Sequence, residues 1–181
     1  MIGIRGGTFD PIHFAHLRAT EEVASELALE RVHLIPGNIP PHRHQPLATP
    51  KQRLEMLRIA IGNNDKFIPD DRELNRKGES FTVDTLRSFR HELGNDTPLA
   101  LIIGMDAFLT FTQWHEWKTI TELSHLIVTS RPDYKIQSLQ GWAQSMHTTD
   151  KQKLRTKPNG CLYFITTTAL SISATDIRQR W

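Results

Sequence analysis

The chain has 181 residues, a formal net charge of +2 with its nine histidines neutral, and 38% hydrophobic and 23% charged residues. That is enough chain for one domain with a real core, in an ordinary globular composition. The balanced charge argues against a nucleic-acid partner, no run reaches the ~18 apolar residues of a membrane span, and the single cysteine, Cys161, excludes an internal disulfide and a four-cysteine zinc site.

Met1 to Arg5 is a short apolar run stopped by Gly6-Gly7, which predicts a buried strand. This start lacks the layout of a signal peptide, so cytoplasm is the default compartment. From His16 to Leu29, Leu17, Val23, Ala24, Leu27 and Ala28 recur at helical spacing. Val32 to Ile35 reads as a second strand, followed by a polar loop with four prolines that contains Pro40-Pro41-His42-Arg43-His44. Thr49-Pro50 opens a helix, threonine capping and proline in the first turn, that runs to about Ile61. Phe67-Ile68 is a brief strand, and Ser80 to Leu93 a helix stopped by Gly94.

Leu99 to Gly104 is nearly all apolar, the mark of a central strand covered on both faces. An aromatic stretch with Phe108, Phe111, Trp114 and Trp117 reads as helical. Leu126 to Thr129 and Cys161 to Ile165 are further strands, residues 132–158 are the least patterned part, and a last helix starts at Ser173. Strand and helix alternate throughout, which predicts an open, mostly parallel α/β sheet with right-handed crossovers.

In such sheets ligands sit beyond the carboxyl ends of the strands. The segment after the first strand is Gly6-Gly7-Thr8-Phe9-Asp10-Pro11-Ile12-His13-Phe14-Ala15-His16. Glycines let backbone amides approach phosphate oxygens, and a following helix adds the partial positive charge of its N-terminus. The segment is neither a P-loop nor a G-x-G-x-x-G fingerprint. His13 and His16 share a helix face. They fit either a metal pair completed by His42 and His44, or two imidazoles donating to a phosphoryl group. No H-E-x-x-H pattern or carboxylate partner favours the metal.

Gly-Gly-Thr-Phe-Asp-Pro-x-His-x-x-His after a first strand resembles the signature of the HxGH-type nucleotidyltransferases. Ile172-Ser173-Ala174-Thr175-Asp176-Ile177-Arg178 resembles their second motif, I-S-x-T-x-x-R. Between these ends, Ile35-Pro36 with Pro40-Pro41-His42-Arg43, Arg72-Glu73-Leu74, Ser80-Phe81-Thr82 with Thr85-Leu86, Ile102-Ile103-Gly104-Met105-Asp106, Trp114 with Trp117, and Arg131-Pro132 are similar to one family in order along the chain. That family is bacterial nicotinate-nucleotide adenylyltransferase.

The resemblance implies a Rossmann-like fold with helices on both faces, in one nucleotidyltransferase domain over residues 1–181 that lacks the helical end usual after the second motif. It implies transfer of the adenylyl group of ATP to nicotinate mononucleotide, with Mg²⁺, giving deamido-NAD and pyrophosphate in NAD biosynthesis. Nicotinamide mononucleotide and pantetheine phosphate are the alternative acceptors. The cytidylyltransferase element R-T-x-G-I-S-T-T is not matched by Thr168 to Ser173.

By the same resemblance His13, His16 and Arg178 are the expected catalytic residues. Gly6, Gly7, Thr8, Phe9, Asp10, His42, Arg43, Gly104, Asp106, Ser173 and Thr175 are expected to bind ATP and its phosphates. Thr85, Trp114 and Trp117 are expected to bind the nicotinate ring and carboxylate. No protein metal site, nucleic acid or membrane is implied, and a homo-oligomer is allowed. Ala15 stands where the family usually has glycine, one methyl group more in the cradle.

Overall fold

A computed structural model describes residues 1–38, 46–132, 139 and 141–180. The chain order is β1 (Ile2–Gly7), α1 (Phe14–Glu26), β2 (Arg31–Pro36), α2 (Pro50–Ile61), β3 (Phe67–Pro69), α3 (Thr82–Leu93), β4 (Leu99–Gly104) and α4 (Met105–Leu109). A 3₁₀ turn (Phe111–Gln113), α5 (Trp117–Leu123), β5 (His125–Ser130), α6 (Trp142–Met146), α7 (Lys151–Thr156), β6 (Leu162–Thr166) and α8 (Ala174–Gln179) follow. No helix among the described residues is long and apolar enough to cross a membrane.

The six strands lie in the order β3-β2-β1-β4-β5-β6, and every pairing is parallel. The sheet is therefore wholly parallel, where the sequence predicts mostly parallel. The strand order reverses between β1 and β4, which places a crevice at their carboxyl ends. β4 shows why its sequence is continuously apolar. Ala100 and Ile102 join one core with Val23, Leu27 and Leu57, while Leu99, Leu101 and Ile103 join the other with Val83, Leu86, Phe89 and Phe111. Alternate side chains enter opposite faces, and helices cover both.

Local sequence fixes several ends. Thr49 and Gln52 form a reciprocal capping box with Pro50 in the first turn of α2, and Gly94 leaves α3 at φ +78. Elsewhere the structure departs from the periodic reading. β1 continues through Gly6 and Gly7, which pair with Ile35 and Pro36. α1 ends at Glu26 because Ala28 turns to φ +49, yet Leu27 and Leu29 stay buried.

The aromatic stretch is not one helix. It breaks into α4, the 3₁₀ turn and α5, with Glu116 in the left-handed region at φ +49. The weakly patterned stretch holds α6 and α7, the second capped by the Asp150 side chain. Arg90, almost fully buried, donates to the carbonyls of Leu123, Gly94, Asn95, Thr97 and Pro158 and ties α3 to the loops below β4 and β6.

Candidate active site

The β1–α1 turn forms the floor of the crevice. A Cβ on Gly7 would come within 2.7 Å of the Phe9 ring, so only glycine lets that ring tuck under the strand end. The Phe9 side chain is 3% exposed at φ +47, and its ring meets the His16 ring edge-on at 5.4 Å. A Cβ on Gly6 would meet nothing within 4 Å. One glycine is thus required by packing, while the other leaves space open.

His13 is the N-cap residue of α1 in extended conformation, and His16 lies in the first turn. Their rings are 3.8 Å apart and tilted by 30°. Two imidazolium ions so close would repel. Burial, then His13, then the charge of Arg5 push His16 down to about 3. Burial and Arg5 lower His13 as well. Both rings are therefore neutral at ordinary pH. Each Nδ1 is buried without a partner among the described residues. The tautomer with hydrogen on Nε2 keeps the donor on the other nitrogen of each ring.

Arg5 is absent from the sequence-based site. Its Nη1 donates to Thr20 Oγ1 at 3.0 Å, and that hydroxyl donates to the His16 carbonyl at 2.7 Å. Burial lowers Arg5 to about 10, opposed by Asp106, so it stays charged at neutral pH. Its signal in the sequence is a single arginine inside an apolar strand, at a position where a charge needs a reason.

The second motif comes to the same place from the other end of the chain. The Arg178 guanidinium on α8 donates to the Asp10 carbonyl, and its Nη2 reaches Thr175 Oγ1 at 3.2 Å. Ser173 caps α8, accepting from the Asp176 amide and donating to the Asp176 carboxylate at 2.6 Å. Its hydroxyl is therefore committed to its own helix. The Asp10 carboxylate accepts from the Leu47 and Ala48 amides at 2.9 and 3.0 Å. Asp10 thus organises the loop entering α2 and holds Arg178, a different task from binding an anion directly.

Gly104 ends β4 next to β1, and the exposed Asp106 folds back over it; a Cβ there would lie 2.6 Å from the carboxylate. His42 and Arg43 lie outside the described residues.

The residues that the resemblance assigns to nicotinate lie on and after α3. Thr85 is 1% exposed, its hydroxyl donates to Glu73 Oε1 at 2.6 Å, and its amide is directed to the Phe81 carbonyl. It is therefore not an open donor. Burial raises the Glu73 carboxyl, which Thr85 and Ser80 hold in place. The amides of Thr82 and Val83, at the very start of α3, have no partner among the described residues. Helix geometry leaves these amides open in any helix, and periodicity alone could not say where α3 began. Trp114 and Trp117 lie 5.5 and 6.1 Å from the Phe111 ring, and Trp117 packs on Trp142 at 5.1 Å. They belong to one aromatic cluster but not to one helix face.

Among the described residues no group of three or more His, Cys, Asp or Glu is placed to hold a metal ion. The crevice is instead a set of cations and neutral donors, Arg5, Arg178, His13 and His16, around a glycine turn. That inventory suits a polyphosphate.

Comparisons with known proteins show the family. Residues 4–180 match the family model described as Cytidylyltransferase-like. The chain is 47% identical to a probable nicotinate-nucleotide adenylyltransferase of Serratia proteamaculans over 97% of this chain and 81% of that protein. It is 46% identical to one from Methylococcus capsulatus over 99% and 87%. Among solved structures, Plasmodium falciparum nicotinic acid mononucleotide adenylyltransferase complexed with NaAD matches with a TM-score of 0.71 at 22% identity, over 98% of this chain and 82% of that one. The chain belongs to the Cytidylyltransferase-like family and, within it, to the nicotinate-nucleotide adenylyltransferases.

Proposed function

We propose that the chain transfers the adenylyl group of ATP to nicotinate mononucleotide. The observation that carries this reading is the contact between Arg178 and the Asp10 carbonyl. It joins motifs 168 residues apart at one crevice, which we read as the phosphate site.

A phosphate oxygen of the mononucleotide attacks the α-phosphorus of ATP. The bond from that phosphorus to the bridging oxygen breaks, and pyrophosphate leaves with the electron pair. No covalent enzyme intermediate is needed, so the protein acts by positioning two anions and offsetting their repulsion. The Thr8–Phe9 turn offers backbone amides, His13 and His16 donate as neutral imidazoles, and Arg5 and Arg178 supply permanent charge. As negative charge builds on the leaving pyrophosphate, these donors gain strength without rearranging.

Mg²⁺ is expected with the nucleotide. Such ions keep several waters and bind mainly through substrate phosphates, with one or two carboxylates. Asp106, exposed just past β4 and assigned above to ATP binding, is the carboxylate we would assign to assist it. When bound, the ion neutralises phosphate charge.

For the acceptor, the Thr82 and Val83 amides at the start of α3 suit a carboxylate, which gains from both the donors and the helix dipole. A neutral carboxamide gains less from either. The Trp114–Trp117 cluster offers aromatic faces for the pyridine ring.

The test is pyrophosphate release from ATP and Mg²⁺ with three acceptors in parallel: nicotinate mononucleotide, nicotinamide mononucleotide and phosphopantetheine. Strong preference for the nicotinate compound supports the reading. Preference for another acceptor keeps the chemistry and overturns the assigned substrate.

A further inference from the structure

Arg53, on α2, is 1% exposed and makes no ion pair among the described residues, although the charge of Asp10 reaches it. Its Nη1 donates to the carbonyls of Thr8 at 2.8 Å and Gly37 at 2.7 Å, and its Nη2 to that of Asn38 at 3.4 Å. Its Nε is buried without a partner among the described residues. A fully buried guanidinium is costly, and one that leaves a donor unpaired more so. Packing alone would be served by leucine or methionine. The nearby carboxylate of Asp10 is occupied by the Leu47 and Ala48 amides. Arg53 is thus held by backbone carbonyls drawn from two separate turns.

Those carbonyls fix peptide planes. In a trans peptide the C=O and the following N–H point in opposite directions. The second turn shows the consequence directly: Arg53 holds the Gly37 carbonyl, and the Asn38 N–H donates to Ser80 Oγ at 2.9 Å. Ser80 lies just before α3, whose first amides are the ones proposed above for the acceptor's carboxylate. At the first turn Arg53 holds the Thr8 carbonyl, so the Phe9 N–H is turned away from the buried guanidinium. That amide makes no hydrogen bond among the described residues. The Phe9 backbone is left-handed, φ +47, a conformation that a non-glycine residue keeps only when its surroundings hold it.

We propose that Arg53 is a positioning residue for nucleotide binding: by gripping the Thr8 carbonyl it presents the Phe9 N–H to a phosphate oxygen, and by gripping Gly37 it ties that cradle to the start of α3. The proposal rests on the phosphate-site reading above and adds the device that aims its backbone donor. Arg53 touches neither substrate, and it acts through two peptide planes.

The test uses inorganic pyrophosphate as the probe and amide NMR of the whole chain, so that it needs no turnover. In the wild-type protein, pyrophosphate should shift the Phe9 amide resonance strongly. Arg53→Met should lose that shift and bind pyrophosphate at least tenfold more weakly, while amides of β4 and β5 keep their positions. Arg53→Lys, which keeps the charge but cannot span three carbonyls, should fall between the two; it decides the matter if Arg53→Met fails to fold. Wild-type affinity and an intact Phe9 shift in Arg53→Lys would overturn the proposal. So would a Phe9 amide that ignores bound pyrophosphate in the wild type. A normal Phe9 response without any adenylyl transfer would instead sink the proposed function and leave the role of Arg53 standing.

Discussion

Replacing His16 by asparagine should flatten the dependence of stability on pH below 6.5. Burial, His13 and Arg5 hold this imidazole at about 3 in the folded chain, from an ordinary value of 6.5. As pH falls through 6.5 the unfolded chain takes up the proton, and the folded chain does not until about 3. The contribution is therefore complete above pH 6.5 and is lost progressively as pH falls toward 3. At pH 5 the gap of about 1.5 units corresponds to ~2 kcal/mol, which solvent around a partly exposed ring reduces to about 1 kcal/mol.

His13 and His125 are lowered too and steepen the same limb, so the informative quantity is the difference between wild type and variant at each pH. Urea unfolding at pH 8 and pH 5 measures it. The wild type should lose about 1 kcal/mol more than His16→Asn over that interval. Equal losses would refute the claim that the folded protein holds His16 neutral.

Three further predictions concern other parts of the same structure. Arg5→Met removes the charge facing both rings, so the His13 and His16 titration points should rise in an imidazole NMR titration; unmoved values would remove Arg5 from the site. Gly7→Ala drives a methyl into the Phe9 ring and should cost about 1–3 kcal/mol, whereas Gly6→Ala should keep its melting temperature and weaken ATP binding. Thermal unfolding and nucleotide titration of the two variants separate these effects, and equal destabilisation would contradict the packing account. Arg90→Met strands five carbonyls around one buried guanidinium and should cost about 3 kcal/mol, a drop in melting temperature of roughly 6–12 °C by differential scanning fluorimetry. A change under about 1 °C would show that water replaces the arginine at little cost.

Local chemistry was readable wherever one residue type has one job. Thr49, Pro50 and Gln52 announce the start of α2, and Gly94 announces the end of α3, because capping and positive φ demand those residues. The apolar run of β4 announces a strand with two covered faces. The two end motifs pointed to one crevice, and Arg178 does meet Asp10.

What escaped depends on tertiary structure. Glu116 adopts a left-handed conformation without glycine, so the aromatic stretch looked like one helix. Helical spacing ran past the end of α1 because Leu27 and Leu29 stay buried after the helix stops. The resemblance assigns Thr85 to the nicotinate site, and only the register of α3 reveals that its hydroxyl is committed to Glu73. Arg5, Arg53 and Arg90 are charges that a composition count assigns to solvent, yet each is drawn inward by backbone carbonyls or a hydroxyl that no linear pattern reveals.

The most direct measurement is mass-spectrometric detection of the dinucleotide formed from ATP, Mg²⁺ and nicotinate mononucleotide, in the wild type and in His16→Ala and Arg178→Ala. The account predicts deamido-NAD and pyrophosphate in equal amounts from the wild type, with the rate falling at least a hundredfold in each variant, as expected when a positioned transition-state donor is lost. Wild-type rates in both variants, or no dinucleotide from a wild-type protein that binds ATP, would contradict it.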